Sequence, residues 1–346
     1  MAKEIYYGDY LQLDKILNAQ QPESALRGNE AHDEMLFIIV HQAYELWFKQ
    51  IAHEMTSVIQ ILNQPEVNDN SPDIFTVVHR LKRIASIWGL AIHQIDVIET
   101  MTPLDFLDFR DDLRPASGFQ SFQFKSLEAM MGLKFDDRHG QAFYKHHLRE
   151  EHIELVAKIE AQPSLIELLN KWLERMPFFD TRYWHFDSES STTIIDDHPF
   201  WSQYIIAYKA TLGEGAQDQA AMTSFHDAMI DESQKGRLST KANRAALFIM
   251  LYRDFPLLQI PFQLLDTLIE IDDLMGAWRT RHISMVLRMI GGRAGTGGSA
   301  GAEYLRESRD KHMIFSELAT LNSFLIQRNQ IPVLPGELQA KLGFNA

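Results

Sequence analysis

His282 is the residue around which chemistry can first be placed on this chain. It stands in Trp278-Arg279-Thr280-Arg281-His282, on the apolar side of a long helical pattern, and is followed by Gly291-Gly292-Arg293-Ala294-Gly295-Thr296-Gly297-Gly298-Ser299-Ala300-Gly301. An imidazole on a rigid helix beside a pliable polar segment suits a metal-centred cofactor that must be held and a small ligand that must be closed over. His41 is the second candidate, with Phe37, Tyr44 and Phe48 as its neighbours at helical spacing. Taken alone, such a histidine reads first as a core residue bonded to a backbone carbonyl or to a carboxylate such as Glu45. The pair changes that reading, because imidazoles on the apolar sides of two long helices can form two walls of one cavity.

Zinc is the competing use for these side chains. His282 has neither a His-x-x-x-His nor a Glu-x-x-His companion, and Trp278, Arg279, Thr280 and Met285 are poor or unsuitable ligands. His41 lies far from His53 in sequence, as does His79 from His93, too far for a compact ligand pair. The denser group His146-His147-Glu150-Glu151-His152 sits amid charge and reads as solvated helix surface. The chain has no cysteine, which removes disulfides, thiolate zinc sites, iron-sulfur clusters and a cysteine-ligated haem. A single axial histidine with an apolar distal pocket suits haem better than zinc.

Arg110 follows Phe106-Leu107-Asp108-Phe109. It can pair internally with Asp108, Asp111 or Asp112, or face a cavity, where its planar guanidinium would clamp a carboxylate through two parallel hydrogen bonds. In the glycine run, Gly295-Thr296-Gly297 with Ala300 resembles part of a dinucleotide fingerprint, but that motif needs a preceding strand and a helical pattern leads into this one. A closing segment, with the Thr296 hydroxyl and backbone N–H groups free to meet an anion, is the better local reading beside that of a plain surface loop. The aromatic Tyr6-Tyr7-Gly8-Asp9-Tyr10-Leu11 could strap its own core or pack on another subunit and complete a neighbour's pocket.

These residues need long helices to carry them, and the pattern supplies them. From Met35, the residues Phe37, His41, Tyr44, Phe48, Ile51, Met55, Val58 and Leu62 recur at alternating steps of four and three, one stripe of a single helix. A second helix is expected over about 74–99, and Thr102 with Pro103 should cap and open a third. Helices are also expected over 139–159 and 163–175. The 178–200 stretch has no assignable pattern, and 201–233 reads as a helix pair broken at Gly213-Glu214-Gly215. The last long pattern starts near Ser239, pauses at Phe255-Pro256, resumes at Pro261 and carries Leu265, Leu268, Asp272, Met275, Arg279, His282, Val286 and Met289; a final helix is expected over about 311–326. The expected fold is all-α, a large helical bundle over 1–346 with a cofactor pocket between long helices and a peripheral helical excursion at about 178–235.

The 346 residues, 45% of them hydrophobic, can bury a core without a metal or disulfide staple. A net charge of -14 without a dense basic block argues against nucleic acid or an anionic membrane face as partner. The N-terminus lacks a signal-peptide core and no run is long and apolar enough to span a bilayer, so a cytoplasmic protein is expected.

Taken together and in this order, several blocks resemble the tryptophan 2,3-dioxygenase family. They are Tyr7-Gly8-Asp9-Tyr10-Leu11, the run from His32 to Lys49, Phe109-Arg110 with Pro115-Ala116-Ser117-Gly118-Phe119-Gln120-Ser121, Trp278-Arg279 with His282, and Gly295-Thr296-Gly297-Gly298-Ser299. The likeness covers most of the chain and is weakest at about 178–235 and after about 328. It implies a helical homotetramer, dependent on haem b, that inserts both atoms of O2 across the indole C2–C3 bond of L-tryptophan to give N-formyl-L-kynurenine. Carried over by residue, the resemblance makes His282 the axial iron ligand, with Trp278 and Gly295 beside the haem, and His41 the distal histidine that meets the indole N–H. Arg110 becomes the carboxylate clamp and Thr296 the residue that fixes the amino-acid group. Phe37 and Phe106 line the indole pocket, and Tyr7, Tyr10 and Leu11 are supplied to the neighbouring site. Position 106 is Phe where some bacterial members have Tyr. Two other uses of such a pocket stay open on sequence alone: mono-oxygenation of an aromatic amino acid, and non-catalytic sensing of haem or tryptophan.

Overall fold

The fold was obtained as a computed structural model, which describes residues 4–135, 148–184, 198–233, 236–293 and 312–343. Among these residues all regular structure is helical. Three short helices open the chain: α1 (Tyr7–Leu11), α2 (Leu13–Leu17) and α3 (Glu23–Leu26). Then come α4 (Glu34–Leu62), α5 (Pro72–Ile98), α6 (Pro103–Phe109), α7 (Phe122–Met131), α8 (Glu150–Glu160) and α9 (Leu165–Glu174). The second half holds α10 (Pro199–Ala210), α11 (Ala216–Met229), α12 (Thr240–Leu251), α13 (Pro256–Ile290), α14 (Ser316–Thr320) and α15 (Gly336–Leu342).

The long helices form where the apolar stripes predict them, and local chemistry sets their ends. Ser71 caps α5 by accepting the Ile74 N–H, with Pro72 in the first turn. Thr102 caps α6 in a reciprocal box with Asp105, ahead of Pro103, as the sequence suggests. The Glu34 carboxylate at the start of α4 accepts the backbone N–H groups of Glu23 (2.8 Å) and Ser24 (2.9 Å), fastening the N-terminal segment to the bundle. Gly132 ends α7 at φ 129°, a conformation that L side chains rarely adopt.

Three boundaries differ from the sequence reading. Of the helix expected over 139–159, residues 139–147 lie outside the described residues and α8 begins only at Glu150. Helix α13 begins at Pro256 and runs through Pro261, where the sequence suggests a restart. Pro261 lies in the second turn, so the missing N–H removes a single early rung of the helix, and the side chain is buried in compensation. The real break is the corner at 252–255, across which α12 and α13 meet at 117°. The expected helix over 311–326 is only α14 followed by a 3-10 turn, Leu321–Phe324.

Helix α5 packs along both α4 and α13, and α7 lies against α4. This frame carries the residues singled out above. Aromatic side chains of α10 and α11, including Phe200, Trp201, Tyr204 and Phe225, bury against Phe248 of α12 and Phe324 in the same continuous core. Among the described residues no single helix is long and apolar enough to cross a membrane.

Candidate functional site

The stripe of α4 turns His41 inward, and α13 turns His282 toward the same space. Both imidazoles line one cavity. Phe37, Phe106, Arg110 and Trp278 line it too. Of the site residues read from the sequence, these six are brought together. Gly295 and Thr296 lie outside the described residues. Tyr7, Tyr10 and Leu11 are exposed on α1, and Tyr7 and Tyr10 keep 70% and 72% of their surface.

His41 Nδ1 stands 2.7 Å from the Phe37 carbonyl oxygen. A carbonyl can only accept, so Nδ1 carries the proton and Nε2 is left with its lone pair. Burial lowers the His41 pKa, opposed by the Phe37 hydrogen bond and by the charge of Glu45, so the ring is a neutral acceptor near pH 7. The Phe37 ring lies against it with centroids 4.1 Å apart, and Phe106 and Phe109 close the aromatic corner at 5.8 and 5.6 Å from Phe37. The carbonyl bond expected of a core histidine is therefore made, yet it occupies only one of the two ring nitrogens.

His282 has different surroundings. Burial pushes its pKa down to about 4, with His41 adding in the same direction, so it too is neutral at pH 7. Its ring lies parallel to Trp278, with centroids 5.3 Å apart and planes 7° from parallel. Among the described residues neither ring nitrogen has a hydrogen-bond partner, and no three His, Asp or Glu side chains gather as a ligand set. A neutral imidazole facing a largely aromatic and aliphatic hollow is a donor suited to one axial bond to a planar metal complex.

Arg110 is 7% exposed, at the junction of α6 with the 3-10 turn Arg110–Leu113. Of the neighbouring acids, Asp111 pairs with Arg114 at 3.2 Å and Asp112 with Arg27 at 3.0 Å. The guanidinium lines the cavity and brings positive charge to it, a group whose planar fork suits a carboxylate.

The structure adds residues that the sequence reading did not single out. Phe119 and Phe124 join the lining from the turn before α7 and from α7 itself. Beside them lies a buried ionic group in which Glu128 takes Arg279 at 2.9 Å, with Lys125 at 3.6 Å and His312 at 3.5 Å. Its signal was present in the sequence, since Arg279 sits on the apolar stripe of α13 and a charge there requires a buried partner.

Comparison with known proteins accords with this geometry. The family model described as tryptophan 2,3-dioxygenase matches residues 1–325. A tryptophan 2,3-dioxygenase of Alteromonas mediterranea is 44% identical, covering 98% of this chain and 97% of the relative. That of Bdellovibrio bacteriovorus is 43% identical over 99% and 98%, and that of Xenopus laevis 42% identical over 95% and 84%. Similarity at this level runs through the helices that bear His41, Arg110 and His282, so the chain belongs to the tryptophan 2,3-dioxygenase family.

Proposed function

We propose that this chain is a haem-dependent dioxygenase that cleaves the indole C2–C3 bond of L-tryptophan with O2, giving N-formyl-L-kynurenine. The observation that carries the reading is the single cavity shared by two neutral imidazoles and a buried arginine. Haem b fits the residues present: His282, whose ring nitrogens have no hydrogen-bond partner among the described residues, would hold the iron, and Trp278 would flank it on the same wall. When bound, haem supplies the iron chemistry that lets O2 react with the indole.

The protein's own groups do the rest. Arg110 binds the substrate carboxylate, and its charge sets which end of the amino acid enters first. His41 accepts the indole N–H at Nε2 while Phe37 fixes its ring through Nδ1. Because His41 is neutral and its proton is held by a carbonyl, its task is orientation more than proton abstraction. Phe37 and Phe106 supply flat apolar walls that hold the indole and keep water out. Thr296 fixes the amino-acid group as its glycine-rich segment closes, and Gly295 lies beside the haem. Tyr7, Tyr10 and Leu11 complete the neighbouring site in a homotetramer. Both oxygen atoms end in the product, so no external reductant is consumed.

The test is to reduce the haem-loaded protein, add L-tryptophan and labelled O2, and follow absorbance and product mass. Formylkynurenine carrying two labelled atoms is expected. One labelled atom would make the protein a hydroxylase, and tryptophan binding without product would make it a sensor.

A further inference from the structure

A metal-bound histidine normally has its ring plane fixed by a hydrogen bond from the other ring nitrogen to a carboxylate or carbonyl. His282 has no such partner among the described residues, although His41 in the same cavity does. What His282 has is a face. The Trp278 indole, one turn earlier on α13, lies against it within 7° of parallel. That indole is held in turn from three other helices. Phe124 of α7 is 5.2 Å away, Trp88 of α5 5.9 Å, and Tyr44 of α4 6.0 Å, the last meeting it edge-on. An aromatic group gripped from several sides cannot rotate without repacking the core, so it can impose its plane on a neighbour.

We propose that Trp278 is a positioning residue that sets the azimuth of the His282 imidazole by stacking, in place of the usual hydrogen bond. The inference rests on the reading of His282 as the haem ligand. The imidazole plane fixes how the ligand orbitals meet those of the iron, so the packing of α4, α5 and α7 is passed to the cofactor through one indole face.

The experiment uses full-length, haem-loaded protein and reads the electron paramagnetic resonance spectrum of its ferric cyanide complex, whose g anisotropy follows the axial imidazole plane. Haem content is measured in each sample. Trp278→Met keeps an apolar, helix-compatible side chain of adequate bulk but removes the flat face; its g values are expected to shift and its lines to broaden at equal haem content. Trp278→Phe, which restores a ring, is expected to return the spectrum toward that of the unaltered protein. Unchanged g values in Trp278→Met overturn the proposal. Should that variant not fold, Phe124→Leu decides: it leaves Trp278 in place but loosens its cage, and must move the spectrum in the same direction, an unchanged spectrum again overturning the proposal. His282→Ala separates the two claims. Haem retained in that variant overturns the ligand assignment itself, whereas haem lost there with g values unmoved in Trp278→Met overturns only the positioning role.

Discussion

At the scale of single residues, the site depends on polar groups placed where an apolar side chain would have sufficed for folding. His41 spends one nitrogen on Phe37 and turns the other to the cavity. With orientation as its task, His41→Ala is expected to lower kcat while haem content, read from the Soret band, stays the same; loss of haem in that variant would contradict the assigned role. Arg110→Ala is expected to act on binding, weakening tryptophan by about 2 to 5 kcal/mol, as loss of one partner of a buried charge pair does. Arg110→Lys should recover only part of this, since an ammonium cannot make two parallel bonds to a carboxylate. A tryptophan titration followed in the haem spectrum measures both, and an unchanged midpoint in Arg110→Ala would remove the clamp. These residues were legible in the sequence because each interrupts an apolar pattern. Phe119, Phe124 and His312 were not, because their relation to the cavity depends on how distant segments fold together and no local spacing records it.

At the scale of elements, α4, α5 and α13 could be read from the sequence because a 3.6-residue period repeated over many turns leaves little freedom in which face is buried. Helix ends were legible where caps mark them, as at Thr102 before α6, and misleading at Pro261 of α13, where a proline in an early turn looks like a stop and is not. The link between α13 and the segment beginning at residue 312 was hidden for another reason: it is made by a buried acid. Asp272 on α13 accepts the Phe315 N–H at 2.6 Å and is only 2% exposed. Burial raises its carboxyl to about 6, against the pull of the Phe315 and Ile314 N–H groups and of Arg279 and Arg237. The folded state therefore holds this proton more tightly than the unfolded chain does. The resulting stabilisation is complete below the ordinary carboxyl value of 3.8 and is lost as pH rises through about 6. Asp272→Asn, neutral throughout, is expected to remove this contribution to the pH dependence, up to about 3 kcal/mol between acid and neutral pH. Urea midpoints of haem-free protein across that range measure it, and wild-type and variant curves that stay parallel would show that the carboxyl does not titrate there.

At the scale of the whole molecule, the N-terminal segment carries a row of exposed apolar side chains. Ile5, Tyr6, Tyr7, Tyr10, Leu17 and Leu26 are all largely exposed, while Glu34 fastens the segment's far end to the bundle. Burying a large apolar side chain gains roughly 1.5 to 3 kcal/mol, so this exposed row is surface that the proposed tetramer would gain by covering. If the proposed tetramer uses that row to complete a neighbouring cavity, a defect in the row and a defect in the cavity belong to different subunits and can be separated. A chain carrying Tyr7→Ser, Tyr10→Ser and Leu11→Ser is expected to keep its haem but lose most activity, while His282→Ala is inactive for want of haem. Co-expressed and purified as mixed oligomers, the two are expected to show more activity than the sum of each alone, because the intact N-terminus of the second chain can reach the intact cavity of the first. Activity no greater than that sum, in oligomers shown by mass to contain both chains, would mean that each N-terminal segment serves its own subunit, or none.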